Sequence, residues 1–300
     1  MKKFLLTLFL VCGFAHADTV KLVVPFAPGG AADQTARVIE RSLMTRTKHT
    51  YIIENRAGAG GAVGAMYVAK NKSNETVLLI HSLALVVNSL MPDAGFSLTD
   101  FTPVMRLGSL QLALATNPKS SVNTMDKLLK TTDPVFFGSS GIASATHLAG
   151  ELFGQSTGRN MVHVPYKGEA LALNDILGNN LMLLFTAVSV TQGQNVKVLA
   201  VSGLKRSAVY PDVPTFNELG IKTFDSSPNW LVLLANPTAD PKIVAEVQSA
   251  LAEAMKSPDE VEGFVRAGVD IERKTPYNTQ QFMLVEQNKV RRLLEKVKVN

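Results

Sequence analysis

The sequence predicts an α/β fold of two lobes, each with a mainly parallel sheet. Three observations carry that expectation. Short β-rich runs alternate with helical patterns along almost the whole chain, the rhythm of parallel strands covered by helices. Two turns rich in small residues, at 26–30 and 139–144, each follow a strand and open a helix, far apart in sequence. A strand ending at Asn117-Pro118 and a proline-punctuated return mark two chain crossings, which together make a hinge. The first lobe is expected from residues 18–117 with 225–300, and the second from 118–224. A single doubly wound sheet is the competing arrangement.

Each element follows from local pattern. Residues 20–26 are a β-rich run, followed by the turn Ala27-Pro28-Gly29-Gly30 and a helix with Ala36, Ile39 and Leu43 on one face. Residues 51–54 read as a strand, then come a glycine-rich loop at 58–61, a helix through Met66 to Lys70 and a buried strand at 77–80. A strand at 110–116 leads to the crossing. Beyond it lie a helix at 125–130, a strand at 135–138, the loop 139–144 and a helix at 145–153. A strand at 162–164, a helix at 169–177 ending at Gly178, and strands at 181–185 and 196–201 complete this part. Pro211, Pro214 and the stretch 224–228 punctuate the return to a strand at 230–234, a long helix at 241–256 and a last helix at 279–297. There is no internal repeat and no low-complexity segment.

The N-terminus reads as a secretory signal. Lys2 and Lys3 precede an apolar run at 4–11 broken by Thr7, and Ala15-His16-Ala17 offers small residues where a signal peptidase cuts, so cleavage is expected after Ala17. The run is too short to span a bilayer, which takes about 20 apolar residues. Val11 is too large for a lipid-attachment box at Cys12. Cys12 is the only cysteine and leaves with the signal, so the mature chain has neither disulfides nor thiol chemistry. His49, His81, His147 and His163 lack metal-ligand spacing, and no metal or cofactor is expected. The formal charge of +5 falls to +3 without Lys2 and Lys3. The basic residues near the C-terminus (Lys289, Arg291, Arg292, Lys296, Lys298) interleave with Glu286 and Glu295 as a solvated helix face. The aromatics or sustained basic stripe that nucleic acid requires are missing, so nucleic acid is not an expected partner.

The segment Val24-Pro25-Phe26-Ala27-Pro28-Gly29-Gly30 ends a strand and presents the unpaired N–H groups of the next helix, a backbone site for an anion. It contains no lysine and is not a P-loop. Asp33, in the first helical turn, is expected to hold the loop and complement the dipole. The loop Ser139-Ser140-Gly141-Ile142-Ala143-Ser144 repeats this logic, and the two loops, one per lobe, could grip two carboxylates or both ends of one ligand. The run 55–64 tempts a dinucleotide reading, but the spacing places Val63 where a glycine is needed, so its glycines are read as allowing close packing. Ser140 and Ser144 lie near His147, yet there is no nucleophile elbow and no acid to orient the base; a hydrolase using Ser140 or Ser144 is the weaker reading. Tyr166 could pack on a ligand, whereas Lys167 reads as a solvated turn residue.

Together these residues resemble the substrate-binding receptors of tripartite tricarboxylate transporters, also called the Bug family. The resemblance covers nearly the whole chain after residue 17 and rests on residues 25–33, 55–64, 139–148 (SSGIASATHL), 164–168 and 210–220 (YPDVPTFNELG). It implies a type II periplasmic binding protein of the Venus-flytrap kind and no enzymatic activity. A small carboxylate would be held between the lobes and delivered to integral membrane transporter subunits; the chain is expected to act as a monomer. Phe26, Ala27, Gly29, Gly30, Ser140, Gly141 and Ser144 would hold the carboxylate through backbone groups and ordered water, with Asp33 and His147 as support and Tyr166 and Thr186 on the second-lobe side. An extracytoplasmic sensor is the alternative role. The chain departs from the family in three places: Thr186 stands where an aspartate often follows Phe185, the stretch 186–197 is shorter, and Glu169-Ala170-Leu171 replaces a glycine-rich continuation. Thr186 leads us to expect ligands without an ammonium group. The cation-free first loop leads us to expect that Gly30→Val weakens binding, by steric exclusion and by restricting φ, far more than Lys167→Ala does.

Overall fold

The structure is a computed structural model and describes residues 18–221, 229–271 and 278–295. The signal segment, the stretch 224–228 and the end of the last predicted helix beyond 295 lie outside the described residues. In chain order the first group of elements is β1 (Thr19–Val24), α1 (Ala31–Met44), β2 (Thr50–Asn55), α2 (Ala62–Ala69), β3 (Val77–Ser82), α3 (Ala84–Ser89) and β4 (Thr102–Leu110). The second is β5 (Leu112–Thr116), α4 (Met125–Lys130), β6 (Val135–Ser139), α5 (Ala145–Thr157), β7 (Met161–Pro165), α6 (Glu169–Leu177), β8 (Leu183–Ala187), α7 (Val188–Thr191) and β9 (Lys197–Val201). The chain then returns through β10 (Asn229–Ala235), α8 (Pro241–Ala254), α9 (Pro258–Arg266), β11 (Val269–Asp270) and α10 (Thr279–Leu294).

The strands form two sheets. The first has the order β11-β4-β10-β3-β1-β2 and the second β7-β6-β8-β5-β9. β1 pairs in parallel with both β2 and β3, and β6 in parallel with both β7 and β8. The remaining ladders are antiparallel and run through β10, β5 and β4. The ladders are therefore mixed, although in direction β1 to β4 agree in the first sheet and all strands but β5 agree in the second. The strands inserted against the grain, β10 and β5, are the ones that arrive from the other lobe. Such a strand enters at the carboxyl ends of its neighbours, the edge facing the opposite sheet, and can only run away from it. The crossing also lies earlier than expected: β4 ends at Leu110 and β5, beginning at Leu112, already belongs to the second sheet, so the boundary placed after residue 117 falls past a whole strand. Gln111 sits at the crossing and ties it to the returning chain, its Nε2 donating to the carbonyls of Ser202 at 2.7 Å and Lys205 at 2.9 Å.

Burial explains the strand assignments. β3 and β10 are buried at every position, as central strands covered on both faces must be. α1 buries Ala36, Ile39 and Leu43, the face read from its spacing, and leaves Arg37 and Arg41 outward. The apolar core is continuous between lobes: Ala172, Leu173 and Ile176 of α6 share a cluster with Val24, Phe26 and Ala31. The two lobes stand closed on each other.

Candidate functional site

The cleft between the sheets lies where the carboxyl ends of the parallel strands face each other, the usual place for a ligand in an open α/β sheet. A cavity of about 30 Å³ remains there, room for about one or two waters. Its lining comes from both lobes. Phe26, Gly30, Ala31 and Ala32 belong to the loop and first turn of α1, and Ser82, Leu110, Asn229 and Leu231 to strand ends of the first sheet; Ser140, Ala145, Thr146 and Glu169 come from the second lobe. Among the described residues the lining contains no lysine, arginine or histidine.

Local chemistry sets each wall. Gly30, at the N-cap of α1, has no side chain to cap the helix, and Gly29 enters it with φ +91°, a left-handed conformation that a residue with a Cβ rarely adopts. Gly30 has φ −75°, open to any residue, so the conformational part of the expected Gly30→Val effect belongs to Gly29. Asp33 is buried and does not line the cavity. Its carboxylate accepts from Gly29 N–H at 3.0 Å, Arg37 Nε at 2.9 Å and Asn55 Nδ2 at 3.0 Å, which braces the loop. Opposite, Ser144 caps α5 by accepting from His147 N–H at 3.1 Å, and Ser140 N–H donates to Thr146 Oγ1 at 2.9 Å. His147 Nδ1 accepts from Ala143 N–H at 3.1 Å, and its ring stacks on His163 at 3.7 Å between centroids. The Ser140 and Ser144 hydroxyls bond to Thr146 and not to a histidine ring, so neither has a base in place.

The remaining predicted residues act at the seam. Ala27 N–H donates to the Lys167 carbonyl at 2.9 Å, joining the lobes, while the Lys167 side chain is exposed. Gly141 packs on Gly60, and a Cβ on Gly60 would stand 1.9 Å from the Ile142 carbonyl oxygen. The glycine-rich run thus lets the lobes touch, beyond the packing against the first loop expected of it. Tyr166 donates its hydroxyl to Asp175 at 2.6 Å and does not reach the cavity. The Thr186 hydroxyl is buried beside the Glu169 carboxylate. His81, fully buried, donates from Nε2 to the Gly61 carbonyl at 3.3 Å and accepts at Nδ1 from Ser82 N–H at 2.9 Å; burial pushes it down to about 4.

Phe26, Gly30 and Ser140 are the predicted residues that line the cavity. Ser82, Asn229 and Thr146 also line the cavity, and their only signal in the sequence is position, at the cleft ends of buried strands or in the first turn of α5. Glu169, one of the departures from the family pattern, lines it as well. Glu169 is buried, with Oε2 accepting from Ala31 N–H at 3.2 Å and Oε1 from Ala187 N–H at 3.0 Å. Loss of solvation raises its carboxyl above the ordinary glutamate value.

Comparison with known proteins identifies the family and the fold. The family model described as tripartite tricarboxylate transporter family receptor matches residues 35–299. Protein BugT of Bordetella pertussis is 34% identical over 282 residues, covering 90% of this chain and 86% of that protein. The structure of the periplasmic binding protein BugD superposes with a TM-score of 0.86 at 28% identity, covering 94% of this chain and 98% of that one. An R. palustris protein solved with adipate gives 0.85 at 25% identity, covering 93% and 96%. From its first helix to its last, this chain belongs to the receptor family of the tripartite tricarboxylate transporters.

Proposed function

We propose that the protein captures a small carboxylate in the cleft outside the cytoplasm and hands it, unchanged, to the integral membrane subunits of a tripartite tricarboxylate-type transporter. The observation that carries this reading is the convergence of two helix N-termini, α1 from one lobe and α5 from the other, on a cavity that has no cationic side chain among the described residues. An anion in such a place is held by backbone N–H groups and hydroxyls. The adipate bound to the R. palustris relative supports the ligand class. The cavity has room for about one or two waters, less than a diacid such as adipate needs, so the lobes part to admit one and close again over it, a hinge motion about Gln111 and the returning chain.

The mature protein begins at Asp18 and is a monomer without nucleic-acid partners. Intact mass of the exported protein is expected to match cleavage after Ala17; a mass that includes Met1 would overturn the processing. Ligand class is tested by thermal shift against a carboxylate library, since a ligand at about 100 times its Kd adds about 2.7 kcal/mol. A rise in Tm with at least one carboxylate, recovered chemically intact, is the expected result. A library that leaves Tm unmoved while an unrelated solute class raises it would refute the reading.

A further inference from the structure

Glu169 occupies the cleft as an anion would. One carboxylate oxygen takes an N–H from the first turn of α1 and the other takes the N–H of Ala187 at the end of β8, so a single side chain is gripped by both lobes. It lines the cavity, and among the described residues no lysine, arginine or histidine lines the cavity with it. The buried Thr186 hydroxyl stands beside this carboxylate and favours its charged form. The rest of the lining is largely apolar: Phe26, Ala31, Ala32, Leu110, Ala145 and Leu231. A buried carboxylate with no counter-charge is costly, and two carboxylates sharing such a site repel strongly.

We propose that Glu169 is the specificity-determining residue of the cleft: it is the counter-ion for a protonated nitrogen on the ligand and excludes a second ligand carboxylate. The receptor then takes a zwitterion, whose carboxylate lies toward Ser140 and Thr146 at the start of α5 and whose ammonium group faces Glu169. This rests on the carboxylate-receptor reading and reverses the expectation drawn from Thr186. The acidic group absent from the end of β8 is supplied from the start of α6, and it reaches the same corner of the cleft. The raised carboxyl of Glu169 fits an anion that lacks its cation.

The test is calorimetry of the mature protein and of Glu169→Gln, which keeps the shape and an acceptor oxygen but not the charge. The probes are unsubstituted monocarboxylates, α- and ω-amino acids and dicarboxylates of three to six carbons, matched in length. The wild type is expected to bind its best amino acid at least about tenfold more tightly than the matching dicarboxylate, and Glu169→Gln to lose about tenfold for the amino acid and to gain for the dicarboxylate. A wild type that prefers the dicarboxylate overturns the inference even if the variant does not fold. A variant that folds and keeps the wild-type ratio overturns it as well. In both cases binding persists and the carboxylate-receptor reading stands; failure of the wild type to bind any member of the panel would overturn that reading and the inference together.

Discussion

A methyl group at Gly60 has nowhere to go while the lobes are closed. Its nearest neighbour would be the Ile142 carbonyl oxygen at 1.9 Å, backbone that belongs to the other lobe. Gly60→Ala is therefore expected to leave the fold of each lobe intact, at about 1 kcal/mol for the left-handed backbone at φ +58°. It should weaken ligand binding by tenfold or more, because closure is blocked. Calorimetry beside a circular-dichroism melt separates the two effects, and unaltered affinity would show that the seam yields. His81 gives a second prediction at this scale. Its folded value lies near 4 against an unfolded 6.5, so the unfolded chain binds more protons between those limits and stability falls as pH falls through them. The loss is about 3 kcal/mol. His163, lowered to about 3 by burial and by the neighbouring His147, extends the decline to lower pH. Urea denaturation from pH 7 to pH 4 should show a shallower acid slope in His81→Gln than in the wild type.

Elements depend on ties that single residues make between them. Asp33 on α1 holds Gly29 at the loop before it and Asn55 at the end of β2, and Asn55 also donates to the Phe26 carbonyl at 3.1 Å. Asp33→Ala removes the acceptor from three donors, Gly29 N–H, Arg37 Nε and Asn55 Nδ2, in a part-buried place. We expect a loss of about 2 kcal/mol in urea denaturation and weaker ligand binding, with Asp33→Asn between the variant and the wild type. Legibility in the sequence followed the strength of local pattern. α6 was read at its residues because Gly168 and Gly178 bracket one helical run, and β10 because all seven of its positions are buried and it is apolar beyond Asn229. β4 was missed up to its last residue. It begins beside Pro103, carries Gly108 with φ +153° against the Asp270 carbonyl, and shifts register twice along β10, so no alternation survives. α9 was missed because only Phe264 is buried along its nine residues. The same limit applies to the cleft. Its two loops have local signatures, whereas Ser82, Leu110 and Asn229 meet only through sheet order.

At the scale of the molecule, closure is the property to measure. With the cavity at about 30 Å³, ligand entry requires separation of the lobes. Small-angle scattering should show the radius of gyration fall when a tight ligand saturates the wild type, and fall less in Gly60→Ala; equal compaction in both would argue that the glycine contact does not limit closure. The strands inserted against the grain have a further consequence, for the order in which the chain acquires its shape. All strands of the second sheet lie within one uninterrupted stretch, from Leu112 to Val201. The first sheet cannot be completed so early, because β10 alone joins β3 to β4 and comes at residues 229–235. As synthesis proceeds from the N-terminus, the later lobe can settle while β4 still waits for its neighbour. A nascent chain halted after residue 221 would carry a finished second sheet beside a first one split down the middle.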